Sequence, residues 1–74
     1  MKVWIARDAD IIIKNEKIDN GSLKIFINKP KLVEDPLHNF WTATGEYGYL
    51  PKSLFPEITY DNSPQEIELS YKKL

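Results

Sequence analysis

The sequence predicts a mainly β protein: a small antiparallel meander of four or five strands that can curl into a partly open barrel. Short apolar runs recur along the chain, and Gly, Pro, Asn and Asp residues separate them. Residues 66–71 alternate strictly between polar and apolar. Ile67, Leu69 and Tyr71 therefore share one face, as in a half-buried antiparallel strand. The β-branched run Ile11–Ile13 also fits a pleated strand better than a helix.

The length of 74 residues allows one domain, spanning residues 1–74. The chain has no cysteine, which excludes disulfides, thiolate metal sites and a cysteine nucleophile. A secreted domain of this size usually needs disulfides, so a cytoplasmic location is expected. No apolar run approaches the roughly 20 residues of a membrane span, and the acidic residues at 8 and 10 come too early for a signal peptide.

The first strand is predicted over Lys2–Arg7, and because both its sides are apolar, it should be central and covered on both faces. Asn20-Gly21 is a strong hairpin-turn signal. However, a two-residue turn there places Lys17 opposite Lys24, which is unfavourable. We therefore expect a short or bulged hairpin, with residues 9–20 forming an extended hairpin or a mobile arm.

Further strands are predicted over 23–27 and 38–44, separated by a polar connector that carries Pro30 and Pro36. Pro51 favours the start of a helical turn and Pro56 ends it, so one short helical or 3₁₀ turn is expected near residues 51–55. Its Leu54 and Phe55 should close the open end of the sheet. Residues 61–64 are predicted to form a turn, and 72–74 a frayed tail.

The sequence indicates no enzyme, and we predict no catalytic, cofactor-binding or metal-binding residue. His38 is the single histidine and reads as an ordinary strand-start residue. Asp8 and Asp10 could share a face, but Ile11–Ile13 occupies the space where a calcium loop needs further ligands. A solvated turn explains this carboxylate pair better.

Aromatic side chains are the richest chemical feature of the sequence, and most are expected to form the core. Tyr47 and Tyr49 lie beside Gly45 and Gly48 and are expected to be exposed. The isoleucine run 11–13 would be a dimer contact or docking strand if exposed and an extra core strand if buried, and together with the tyrosines it forms the predicted partner surface. Its residues are Tyr47, Tyr49, Ile11, Ile12 and Ile13.

Several segments together resemble a family of small uncharacterised proteins from prophages and other mobile elements of gut bacteria. They are WIARD at 4–8, Lys29-Pro30, Trp41, LPKSLFPEITY at 50–60 and PQEIEL at 64–69. The resemblance covers most of the chain except residues 9–20, where the family has a short Asp-Gly turn. It implies a phage or mobile-element accessory protein of a bacterial cytoplasm, and it brings no known functional residues.

Two functions fit these observations. The first is a non-enzymatic accessory protein that binds an unknown protein partner, through the exposed aromatics or an open strand edge. The second is a small β-barrel that binds single-stranded nucleic acid by aromatic stacking, aided by Lys24, Lys29 and Lys31. The net charge of −1 disfavours nucleic acid without excluding it. No membrane contact is expected, and the chain should be a monomer or a weak homodimer.

Overall fold

A computed structural model describes residues 1–70 and 72, and eight strands form three antiparallel sheets in this part of the chain. No helix occurs among these residues, so the mainly β prediction is confirmed. The strands are β1 (Lys2–Arg7), β2 (Ile11–Ile13), β3 (Glu16–Asp19), β4 (Leu23–Phe26), β5 (Lys31–Val33), β6 (Phe40–Thr42), β7 (Tyr47–Leu50) and β8 (Gln65–Glu68).

The largest sheet has four strands in the order β7-β4-β1-β8. β1 is an inner strand, and its Val3, Ile5 and Ala6 are almost fully buried. This placement confirms the prediction from its apolar residues on both sides. The sheet is open, with β7 and β8 at its two edges, and the described strands do not close into a barrel.

The segment that follows β7 covers one face of the sheet. Here Ile58 packs with Val3, Ile5 and Leu23 to form what we call the first core. Half-buried apolar residues surround it. They are Ile25, Leu50, Phe55, Ile67 and Leu69.

The opposite face is covered by the β5–β6 pair. Trp41 of β6 packs on Ala6 and Phe26 to form the second core. Trp4, Leu32 and Ala43 lie around it. Because the side chains of a strand alternate between faces, β1 and β4 contribute to both cores.

The short turn expected near residues 51–55 is present as a single hydrogen-bonded turn, in which the Leu54 amide donates to the Pro51 carbonyl at 3.0 Å. Pro56 prevents the turn from continuing as a helix, and Phe55 has a φ of 51°. The chain reverses there, and the Ile58 amide donates to the Phe55 carbonyl at 2.9 Å. As a result Leu54 is 43% exposed, Phe55 is half-buried and Ile58 fills the core.

The predicted hairpin turn at Asn20-Gly21 is wrong, because β2 and β3 are joined at Lys14-Asn15. These two residues have φ values of 52° and 65°, the positive values that a two-residue hairpin turn requires. Residues 16–19 therefore form a strand, β3, that is paired with β2. The register of this pair shifts at a bulge between Ile11 and Ile12. Gly21 has another role: a Cβ there would lie 1.8 Å from the Asp8 carbonyl oxygen.

Smaller differences concern strand ends. The strand expected over 38–44 is limited to Phe40–Thr42. The strand expected over 23–27 ends at Phe26, and Ile27 lies beyond it and is 59% exposed. Tyr71, and Lys73 and Leu74 of the predicted frayed tail, lie outside the described residues. Among residues 1–70 and 72, no helix has the length and apolar character needed to cross a membrane.

Candidate protein-binding surfaces

The β7 edge carries the two tyrosines that the sequence singled out. β7 pairs with β4 and has no other neighbour among the described strands. Tyr47 and Tyr49 lie two residues apart and therefore share a face, and they are 44% and 66% exposed. Their ring centroids are 6.1 Å apart in an edge-on arrangement. The expectation of exposed tyrosines next to the glycines is met.

Buried neighbours hold both tyrosine rings in place. Tyr47 stacks on Phe26 of the second core with ring centroids 5.3 Å apart. The Lys24 ammonium lies 5.8 Å from the Tyr47 ring centroid and 5.6 Å from that of Tyr49, within the range of a cation–π attraction. These contacts restrict the orientation of the two rings, which lowers the entropy cost of binding through them.

Lys24 belongs to a buried polar network that sequence reasoning missed. Its ammonium lies 2.9 Å from an Asp8 carboxylate oxygen, and both side chains are more than nine-tenths buried. Lys24 also donates to the Trp41 carbonyl at 2.9 Å, and the Trp41 amide donates to Asp8 at 2.8 Å. The solvated turn expected for Asp8 is therefore wrong, although Asp10 is exposed. The sequence signal for this network was Lys24, a lysine within the otherwise apolar strand 23–27.

Arg7 is a second buried cation that the sequence did not reveal. Its guanidinium donates to the carbonyls of Ile58 at 2.7 Å, Lys52 at 3.0 Å and Leu54 at 3.2 Å. Arg7 is 8% exposed. Since backbone carbonyls satisfy its donors, this arginine fixes the segment after β7 against the sheet and is not available as a binding group.

The opposite edge of the sheet differs in character. β8 carries Glu66 and Glu68, both exposed, and Glu68 pairs with the Met1 amino group at 3.0 Å. Charges on an edge strand discourage pairing with a further strand. β7, in contrast, consists of Tyr, Gly, Tyr and Leu and has no charged residue.

An apolar groove lies behind β7, on the face opposite the tyrosines. It has a volume of about 270 Å³. Gly48 lines it, and a Cβ at that position would meet only Ile25 Cγ2, at 3.8 Å. Internal packing therefore does not require glycine there, and its missing side chain keeps the groove open. The other lining residues are Met1, Val3, Ile25, Ile27, Glu46, Tyr47 and Leu69.

The predicted isoleucines form a separate surface on the β2–β3 hairpin. Ile12 and Ile13 are 60% and 55% exposed, Ile18 on β3 is 58% exposed, and Ile11 is half-buried. β2 and β3 form their own two-stranded sheet. The structure thus brings Tyr47 and Tyr49 together but places the isoleucines on another element.

A wide cleft of about 700 Å³ separates the hairpin from the segment after β7. An ion pair of Lys52 with Asp19 joins its two sides. The hydrogen bond from Lys52, with a second from the Asn20 amide, lowers the pKa of Asp19 below its ordinary value of 3.8. The other charged pair at the cleft is Lys17 with Asp10, at 3.5 Å. The Lys52–Asp19 ion pair thus connects the hairpin to the segment after β7, which is a structural role.

The remaining sequence candidates lie apart from these surfaces. His38 Nε2 is 2.7 Å from the Ala9 carbonyl oxygen, which ties the loop before β6 to the loop after β1. Of the three lysines considered for nucleic acid, Lys24 is buried, and Lys29 lies over the Trp4 ring at 5.4 Å. Among residues 1–70 and 72, no three His, Cys, Asp or Glu side chains are grouped to hold a metal ion.

Comparisons with protein-family models, with characterised proteins and with solved structures find no match to this chain.

Proposed function

We propose that this chain is a non-enzymatic accessory protein that acts by binding another protein along the β7 edge. A strand of the partner would add to β7, and Tyr47 and Tyr49 would contact it from one face of the sheet. Strand addition is a common mode of peptide recognition, in which backbone hydrogen bonds supply affinity and side-chain pockets supply specificity.

The contrast between the two sheet edges carries this proposal. Native proteins protect exposed edges with charge, as on β8 with Glu66 and Glu68. The β7 edge lacks such protection and instead presents two aromatic rings of restricted orientation. Tyrosine is enriched where proteins bind one another because it offers a large contact area at a small entropy cost.

The resemblance to mobile-element proteins supports a setting for this activity. We infer a phage or mobile-element protein of a bacterial cytoplasm, with a host protein or another protein of the same element as partner. Nucleic acid is the weaker alternative, since Lys24 is committed to Asp8 and the chain carries a net charge of −1.

Affinity capture with matched variants tests the proposal. The bait is the whole chain, and the binding variant is Tyr47→Ala with Tyr49→Ala. The control is Leu37→Ala, which truncates a side chain that is 92% exposed in the loop between β5 and β6. We expect a partner that the wild type and the control retain and the double variant loses. Its binding must then be reproduced with the two purified proteins.

Circular dichroism of the double variant verifies that it is folded, because Tyr47 also packs on Phe26. If the folded double variant binds the purified partner as tightly as the wild type does, β7 is not the binding edge.

A further inference from the structure

We propose that the β7 edge also accepts strand β2 of a second copy of this chain, so that the two predicted surfaces are the two halves of one interface. The inference rests on the proposed function, in which β7 is a pairing edge. It names a specific strand, β2 of a second copy, that competes with the foreign partner for the β7 edge.

The chain has a second strand, β2, whose open edge carries no charged residue. β2 pairs with β3 alone among the described strands, and its three residues are all isoleucine. An apolar, β-branched strand with an open edge tends to pair with another strand. Within one molecule β2 and β7 belong to different sheets and are not paired with each other. Pairing of their free edges therefore joins two molecules.

The side chains of β2 and β7 match in one antiparallel register. In an antiparallel pair with Ile12 opposite Gly48, Ile13 lies opposite Tyr47 and Ile11 lies opposite Tyr49. Both tyrosines then contact a β-branched residue, a favourable cross-strand combination. Ile12 points to the other face, where the missing side chain of Gly48 leaves the apolar groove of about 270 Å³.

Charge complementarity supports the same alignment. Lys14 opens the turn that follows β2, and Glu46 directly precedes β7, so the two charges come together at the same end of the strand pair. Both are exposed, and Glu46 lines the groove that Ile12 would enter. A basic residue beyond the isoleucines thus meets an acidic residue beyond the tyrosines. The alternative registers, shifted by one residue, would direct Ile12 away from the groove.

The contact joins two different surfaces, so each molecule offers one donor strand and one acceptor edge. Three or four residue pairs form a small interface, and we expect weak association. Sedimentation velocity of the wild type, from about 10 µM to about 1 mM, should show a mean mass that rises with concentration. Ile12→Ser should weaken this association about tenfold, and Leu37→Ala should leave it unchanged.

A charge exchange tests the direction of the pairing. Lys14→Glu and Glu46→Lys each bring like charges together at one end of the strand pair, so each variant alone should associate about three- to tenfold more weakly. In an equimolar mixture, each donor strand can meet an acceptor of opposite charge on the other variant, so association should be stronger than in either variant alone.

Several results would overturn the inference. A monomer at every concentration would do so, and if the purified partner still bound through Tyr47 and Tyr49, the proposed function would stand. Association that the charge variants leave unchanged would assign it to another surface. Concentration-independent contacts between Gly48 and residues 71–74 in nuclear magnetic resonance spectra would assign the groove to the chain's own tail.

Discussion

Arg7 shows how a single residue ties distant segments of this fold together. It lies at the end of β1, yet its guanidinium donates to carbonyls of residues 52, 54 and 58. A guanidinium carries five donors in a fixed planar fork, against three on an ammonium group, so it reaches more carbonyls spread over a wider area. The irregular segment after β7 thereby gains a defined conformation without regular secondary structure.

Replacing this arginine by lysine should destabilise the protein by about 3 kcal/mol, because buried carbonyls lose their donors. Urea unfolding followed by tryptophan fluorescence measures the free energy of unfolding. Lys17→Met removes an exposed ion pair with Asp10 and, as a control, should cost less than about 1 kcal/mol. A loss for Arg7→Lys no larger than that of the control would show that the guanidinium contacts contribute little.

Asp19 provides a pH-dependent contact between the hairpin and the segment after β7. Its pKa lies below 3.8 in the folded chain because Lys52, and then the Asn20 amide, donate to the carboxylate. A lowered folded pKa stabilises the protein above the ordinary value, and this contribution is lost as the pH falls through the folded value. The contact is therefore complete at neutral pH.

Lys52→Met should raise the pKa of Asp19 towards 3.8, since the main cause of the shift is removed. A titration of the Asp19 carboxyl carbon by nuclear magnetic resonance measures the change. An identical titration curve in wild type and variant would mean that the ion pair does not form in solution.

At the scale of elements, the segment after β7 shows where sequence reasoning succeeds and fails. The prolines at 51 and 56 correctly placed a turn that closes one face of the sheet. They did not reveal that Phe55 adopts a positive φ, a conformation that bulky residues seldom take. Because the chain reverses there, Ile58 fills the core, where Leu54 and Phe55 were expected.

The depth of burial predicts different costs for two truncations in this segment. Ile58 is 3% exposed in the first core, so Ile58→Ala should cost about 2–5 kcal/mol. Phe55 is half-buried at the rim, and Phe55→Ala should cost less. Urea unfolding of the two variants decides this order. The reverse order would indicate that Phe55, rather than Ile58, fills the core.

The hairpin β2–β3 was also only partly predictable. The isoleucine run indicated a strand, whereas the poor register of an Asn20-Gly21 turn was interpreted only as a short or bulged hairpin. Asn15 in the actual turn is a residue type that tolerates positive φ. Gly21 misled the prediction because close approach of the Asp8 carbonyl requires a glycine there, a long-range constraint that a local pattern does not contain.

At the scale of the whole molecule, alternation predicted the strands and the central position of β1, because apolar period is a local property of the sequence. The buried network of Lys24, Asp8 and Trp41 was not predictable in the same way. It depends on the β5–β6 pair folding over the second face of the sheet. Exposure of Tyr47 and Tyr49 was predictable from the flanking glycines, whereas the groove behind Gly48 appears only in three dimensions.

Both sheet edges are part of the same small fold, yet they differ in a way that stability does not require. The charges on β8 and their absence on β7 support an edge reserved for a partner. We therefore expect a protein partner to pair with β7 and to leave β8 unchanged.

Amide hydrogen exchange of the whole chain, with and without saturating purified partner, tests this claim most directly. Strand addition would form new backbone hydrogen bonds along one edge, so exchange should slow at those amides of residues 47–50 that point away from β4, while that of 65–68 stays the same. Tyr47→Ala with Tyr49→Ala should abolish the slowing, and Leu37→Ala should not. Slowed exchange confined to other segments, with residues 47–50 unaffected, would contradict the account.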